Sequence, residues 1–185
     1  MVYPIVVYGS PILRKKAKEI DKDYPGLKQF VEDMFETMYK SDGVGLAAPQ
    51  VGLSVRLFVI DTTELADENT PDLVGFKKAF INPEIILEEG EKWPYNEGCL
   101  SLPKIREDVE RKPRIRIQYY DADFNFFDEE YDGVKARVIQ HEYDHLEGIL
   151  FIDRISPLKK KLLNGKLMAI SKLKVETEYK IKVIK

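Results

Sequence analysis

Apolar residues recur along the chain with distinct periods, and each period predicts an element. In residues 26–40, Leu27, Phe30, Val31, Met34, Phe35 and Met38 keep helical spacing, and Ser41-Asp42-Gly43 places a glycine where such a helix stops. Residues 55–60 are a short, mainly apolar run rich in β-branched side chains, which predicts a buried strand, and a polar loop over 61–78 follows. Residues 79–87 predict a second strand. Asn82-Pro83 interrupts it, and a proline cannot donate to a ladder, so an edge position or a bulge is expected. Over 114–120, Ile115, Ile117 and Tyr119 alternate with Arg114, Arg116 and Gln118, the pattern of a strand with one wet face. Residues 126–131 can pair with it in an antiparallel sheet.

Val134, Val138, His141 and His145 fall at i, i+4, i+7 and i+11, the stripe of a helix that starts after Asp132-Gly133 and ends at Gly148. Phe151-Ile152 opens an extended link. Ser156-Pro157 is a cap and first-turn pair for a final helix whose apolar face is Leu158, Leu162, Leu163, Leu167 and Ile170; Gly165 weakens it by about 1 kcal/mol. Residues 1–25, with Pro4, Gly9-Ser10-Pro11 and Tyr24-Pro25, predict an extended arm with one short turn.

At 185 residues the chain is expected to form one domain, 1–185, with a core that needs no disulfides. Its one cysteine excludes an intrachain bridge and points to a reducing compartment, so the expected location is the cytoplasm. No apolar run is long enough for a membrane span. The net charge of −3 conceals a division: residues 157–185 carry nine lysines and two glutamates, a net of +7, leaving −10 on residues 1–156. The acidic body argues against DNA as a partner, while the basic tail can meet a polyanion locally.

The two histidines change the picture from fold to chemistry. They are the only ones in the chain and sit in Gln140-His141-Glu142-Tyr143-Asp144-His145. A four-residue step is slightly more than one helical turn, so both imidazoles leave one face toward one point, and Glu142 can serve a water there without being a ligand. Zinc peptidases with this pattern take a third ligand from elsewhere, in one large class a histidine six residues on, where this chain has Phe151. The third ligand is therefore a carboxylate or Cys99.

Upstream, Gly43-Val44-Gly45-Leu46-Ala47-Ala48 matches the glycine spacing of a dinucleotide loop, but it follows a helix, and Pro49 stands where the next helix would propagate. These glycines instead suggest backbone held close to a neighbour, with the amide of Gln50 beside it.

Three segments, Gly43-Val44-Gly45-Leu46-Ala47-Ala48-Pro49-Gln50, Glu97-Gly98-Cys99-Leu100-Ser101 and Gln140-His141-Glu142-Tyr143-Asp144-His145-Leu146, resemble in order and spacing the three motifs of the peptide deformylases. The resemblance spans about residues 12–155, leaving a basic helix and tail at 157–185. It implies an α+β fold with antiparallel sheets around a central metal-binding helix, and hydrolysis of the formyl group from the N-terminal methionine of newly made polypeptides. It also implies Cys99, His141 and His145 as ligands of one divalent ion. That ion is expected to be Fe²⁺, with Zn²⁺, Ni²⁺ or Co²⁺ as substitutes. Glu142 becomes the acid and base, and Gln50 and the Leu100 N–H the oxyanion donors. Val44 and Gly45 line the substrate cleft, and Arg106, Val134, Arg137 and Val138 surround the methionine pocket. The basic tail is a candidate for transient contact with the ribosome. Two other functions share the histidine helix: a zinc endopeptidase taking Glu176 or Glu178 as third ligand, and a structural metal site in which Glu142 has no task.

Overall fold

The computed structural model describes residues 1–185. Nine strands and four α-helices follow the chain: β1 Ile5–Val6, α1 Leu27–Lys40, β2 Gly45–Ala47, β3 Leu57–Asp61, β4 Lys77–Glu89, β5 Trp93–Gly98, β6 Arg106–Arg111, β7 Arg114–Tyr120, β8 Phe126–Asp132, α2 Gly133–Leu146, α3 Pro157–Leu162, α4 Asn164–Ser171 and β9 Ile181–Lys182. The main sheet has the order β2-β3-β4-β7-β8, every pairing antiparallel, and β5 with β6 forms a separate hairpin. This is the expected mixed α+β architecture.

The stretch 57–60 is continuously apolar because β3 is covered on both faces. Leu57 and Val59 pack with Phe30, Val31, Met34 and Met38 of α1. Phe58 and Ile60 point the other way, to Ala136, Val138, Ile139 and Leu146 of α2. The sheet is thus sandwiched, with the histidine helix on one side. β7 is buried at Ile115, Ile117 and Tyr119, and its arginines lie outward, as their alternation requires.

Three expectations need correction, and one alternative is decided. Of the edge position and the bulge expected for Asn82-Pro83, the structure takes the bulge: β4 is the central strand, and its register shifts between Ile81 and Glu84. Asn82 has φ +47°, and its side chain donates to Ile20 O (2.7 Å) and accepts from Ile20 N–H (3.0 Å), while Pro83 sits where no ladder donor is required. The N-terminal arm is no mere extended segment: Ile5, Val6 and Val7 are fully buried, and β1 pairs in parallel with β9 from the far end of the chain. Phe151–Asp153 is a 3-10 turn, not an extended link, closed by Asp153, whose side chain accepts from Leu150 N–H (2.9 Å). The final helix is two helices broken at Leu163. Ser156 caps the first (Lys159 N–H to Oγ, 3.3 Å), Leu167 and Ile170 of the second are buried, and Leu158 and Leu162 are 68% and 77% exposed, so the apolar face begins only in α4.

Candidate active site

Three elements meet in a cleft of about 910 Å³. From α2, His141 and His145 project with ring centroids 5.2 Å apart. Cys99 follows β5 in a turn closed by Leu102 N–H donating to Cys99 O (2.9 Å). Gln50 lies in the 3-10 turn after β2. The Cys99 sulfur and one nitrogen of each imidazole lie within 4.8 Å of one another, with Sγ 3.3 Å from His145 Nε2.

Each imidazole is set by its surroundings. Burial raises the pKa of Glu97, but hydrogen bonds from His141 and Arg111 outweigh it and hold the carboxyl well below its usual range. An ionised Glu97 only accepts, so His141 donates Nδ1–H to it (2.8 Å) and turns Nε2 toward Cys99. Burial, reinforced by His141 and Arg111, pushes His145 well below the usual imidazole range and keeps it neutral. His141 moves the opposite way: burial lowers its pKa, but hydrogen bonds to Cys99 and Glu97 outweigh that, and the same anionic surroundings favour a cation. Glu142 is buried beside the cluster, and its Oε2 has no hydrogen-bond partner. A sulfur and two imidazole nitrogens converging next to an unpartnered carboxylate fit a divalent cation. Cys99, His141 and His145 form one metal site.

The glycines upstream have their neighbour. A Cβ on Gly45 would lie 2.4 Å from Glu142 Oε1, so β2 passes close to the carboxylate only because Gly45 lacks a side chain. The Gln50 amide is oriented by its network. Oε1 accepts from Ala47 N–H (2.8 Å), and Nε2 faces Ser101 Oγ (3.1 Å) and Cys99 Sγ (3.5 Å). The Ser101 hydroxyl donates to Val6 O (2.7 Å), which leaves its oxygen to accept from Gln50. Leu100 N–H, by contrast, donates to no protein acceptor.

Behind the metal site lies a buried ionic network that the sequence did not reveal. Glu97 accepts from Arg111 (2.7 and 3.0 Å) and Arg137 (3.0 Å); Arg111 also reaches Asp144 (2.7 Å), which Arg154 grips with two bonds (2.5 and 2.6 Å). Glu97 and Asp144 belong to the quoted motifs, so their positions carried a signal. Arg111 and Arg154 carried none.

Of the residues expected at the site, Val44, Gly45, Gln50, Cys99, Leu100, Arg106, Arg137, Val138, His141 and Glu142 line the cleft. His145 joins them through the metal cluster. Val134 is not among the lining residues and packs instead on the cluster of Phe58 and Phe80. Arg137 is 1% exposed and committed to Glu97, Val109 O and Trp93 O, with its guanidinium over the Trp93 ring. Glu176, Thr177, Glu178 and Tyr179 of the tail form a wall of the cleft that the sequence did not announce.

The polypeptide deformylase family profile matches residues 2–161. The peptide deformylase of Christiangramia forsetii is 54% identical, covering 98% of this chain and 96% of its own; that of Flavobacterium johnsoniae is 56% identical with the same coverage. Among solved structures, the peptide deformylase from Thermus thermophilus superposes with a TM-score of 0.83 at 43% identity over 94% of this chain and 99% of that one. Antiparallel strands packed on a helix, bringing a cysteine sulfur and two imidazoles together beside a buried carboxyl group, define a metal-dependent hydrolase. Glu176 and Glu178, the third ligands an endopeptidase would require, stand outside the metal cluster, and that reading has no support. The chain belongs to the polypeptide deformylase family, and its activity is metal-dependent removal of the formyl group from formyl-methionyl peptides.

Proposed function

We propose that Glu142 is the acid and base of the deformylation and that Gln50 and Leu100 are its oxyanion donors. The buried, unpartnered Oε2 of Glu142 beside the three ligand residues carries this assignment. A divalent cation held by Cys99, His141 and His145 supplies Lewis acidity and lowers the pKa of water toward neutrality. Glu142 takes the proton from the attacking water as its oxygen joins the formyl carbon. Leu100 N–H and the Gln50 amide N–H facing Cys99 donate hydrogen bonds to the developing oxyanion, each worth about 3 kcal/mol of barrier. Glu142 then returns the proton to the departing amine, and formate and a free N-terminus are released. Val44 and Gly45 hold the peptide backbone, Val138 and Arg106 bound the methionine pocket, and Arg137 shapes that pocket by fixing Glu97. Val134 supports α2 from outside the cleft.

The thiolate ligand favours Fe²⁺ as the working ion, with Zn²⁺, Ni²⁺ or Co²⁺ as substitutes, and makes oxidation at Cys99 a liability. A single catalytic domain over residues 1–185, working in the cytoplasm on nascent chains, accords with one free thiol and with the absence of any helix long and apolar enough to cross a membrane. The basic tail suits transient contact with ribosomal RNA. Lys159 and Lys160 are paired with Glu107 and Asp153, and the other tail lysines have no carboxylate partner. A formate-release assay on a formyl-Met peptide, with anaerobically purified protein and each metal in turn, tests the chemistry. Highest turnover with a metal other than Fe²⁺ overturns the metal assignment. Ribosome pelleting across a salt series tests the tail, and binding indifferent to salt removes that contact.

A further inference from the structure

The tail reaches the metal site. Beyond α4 the chain returns along the body. β9 pairs with β1, with Ile5 N–H donating to Lys180 O (2.8 Å) and Val7 N–H to Lys182 O (3.0 Å), and Ile184 N–H donates to Ser10 Oγ (3.0 Å). This docking holds residues 176–179 against the cleft, and there the partly buried Tyr179 donates its hydroxyl proton to Leu100 O (2.9 Å). Thr177 Oγ1 stiffens the segment by donating to Tyr179 O (2.6 Å). The tail residues of these contacts, within 177–184, lie beyond the 2–161 stretch matched by the family profile, whereas their partners Ile5, Val7, Ser10 and Leu100 lie within it.

We infer that Tyr179 is a positioning residue, whose hydroxyl holds the Cys99-Leu100-Ser101 turn so that Leu100 N–H faces the oxyanion and Cys99 Sγ faces the histidines. The inference rests on the oxyanion role assigned to Leu100. Leu100 O is held by the Tyr179 hydroxyl, while the N–H of the same cleft-lining residue donates to no protein acceptor. Releasing one end of the residue lets both flanking peptide planes rotate. An N–H that contributes only once negative charge has developed acts on the transition state, so its misplacement lowers kcat and leaves KM nearly unchanged.

The test uses the full chain loaded with Zn²⁺, comparing Tyr179→Phe, which keeps the ring, with Ile181→Ala, which loosens β9 and keeps the hydroxyl. Leu102 N–H is bonded to Cys99 O, so its hydrogen exchange reports the turn; Val7 N–H is bonded to Lys182 O and reports tail docking. For Tyr179→Phe we expect Leu102 exchange to quicken about fivefold to tenfold, kcat per metal-loaded site to fall by a similar factor, and KM to stay within about twofold. Across the two variants, loss of kcat should follow Leu102 exchange and not Val7 exchange. Unchanged Leu102 exchange in Tyr179→Phe overturns the inference, as does a loss of kcat that follows Val7. Faster Leu102 exchange with unchanged kcat overturns it through Leu100 instead, because the turn is then held by Tyr179 but does not serve the oxyanion.

Discussion

Gly45 and Glu142 stand so close that a single methyl group on the glycine would come within 2.4 Å of the carboxylate oxygen. The neighbour is the end of a side chain and not backbone, so the fold can yield where the chemistry cannot. Gly45→Ala should therefore lower kcat about 100-fold through displacement of Glu142, with a Tm shift of no more than about 3 °C. Thermal melts beside steady-state kinetics check this, and a collapsed fold would show that the contact is structural.

Glu142→Gln keeps the shape and removes the proton carrier. Metal content by elemental analysis should stay at the wild-type level while turnover falls about 1,000-fold. A purely structural metal site predicts the same metal content with turnover intact.

Cys99→Ser replaces a thiolate with a poor ligand. The variant should lose metal affinity by at least about 100-fold, more than loss of a hydrogen bond behind a ligand usually costs, and formate release with it. Competition with a chromophoric chelator measures the affinity. Undiminished binding would remove Cys99 from the metal.

Glu97 serves the metal and the fold together. Glu97→Gln removes the charge and leaves one acceptor oxygen where two are used, so His141 Nδ1–H and the Arg111–Arg137 pair cannot both keep their acceptor. Expected are a 10–100-fold loss of metal affinity and about 3 kcal/mol of destabilisation in the metal-free protein, read by chelator competition and denaturant melts. Loss of only one of the two would show the coupling to be absent.

Asp153 links the N-terminal turn to α3. Burial raises its pKa, but Arg14, Lys160 and Leu150 N–H outweigh that and hold its carboxyl below the usual range. A carboxyl depressed in the folded state stabilises fully above its unfolded pKa of about 4, and that contribution fades as pH falls below it. Asp153→Asn should therefore melt about 2–4 °C below the parent at pH 7, and the gap should narrow steadily from pH 4 downward. A constant gap across that range would exclude the ion pairs as its source.

What the sequence disclosed divides along a physical line. α1, α2, β3 and β7 were legible because the burial of each is written in its own period. Two metal ligands were legible because they sit one turn apart on a helix; the third stayed open between a carboxylate and Cys99 until the resemblance of the three motifs pointed to Cys99. The hairpin of β5 and β6 was hidden by its own chemistry. Its inward positions include Glu97 and Arg111, both buried, so the strands show no apolar alternation. For β4 the choice stayed open because Pro83 signals a missing donor without saying whether an edge or a bulge accommodates it; the bulge does. Tyr179 was illegible for a different reason: it reaches the site only through the pairing of β9 with β1, a contact across almost the whole chain that no local pattern records.

That pairing also fixes an order in time. Synthesis makes β1 first and β9 last, so the amides of Ile5 and Val7 have no native acceptor until residues 180–182 exist. An enzyme whose work is on the first residue of other chains thus cannot settle its own β1, or close the wall of its cleft, until residues 176–182 have been added.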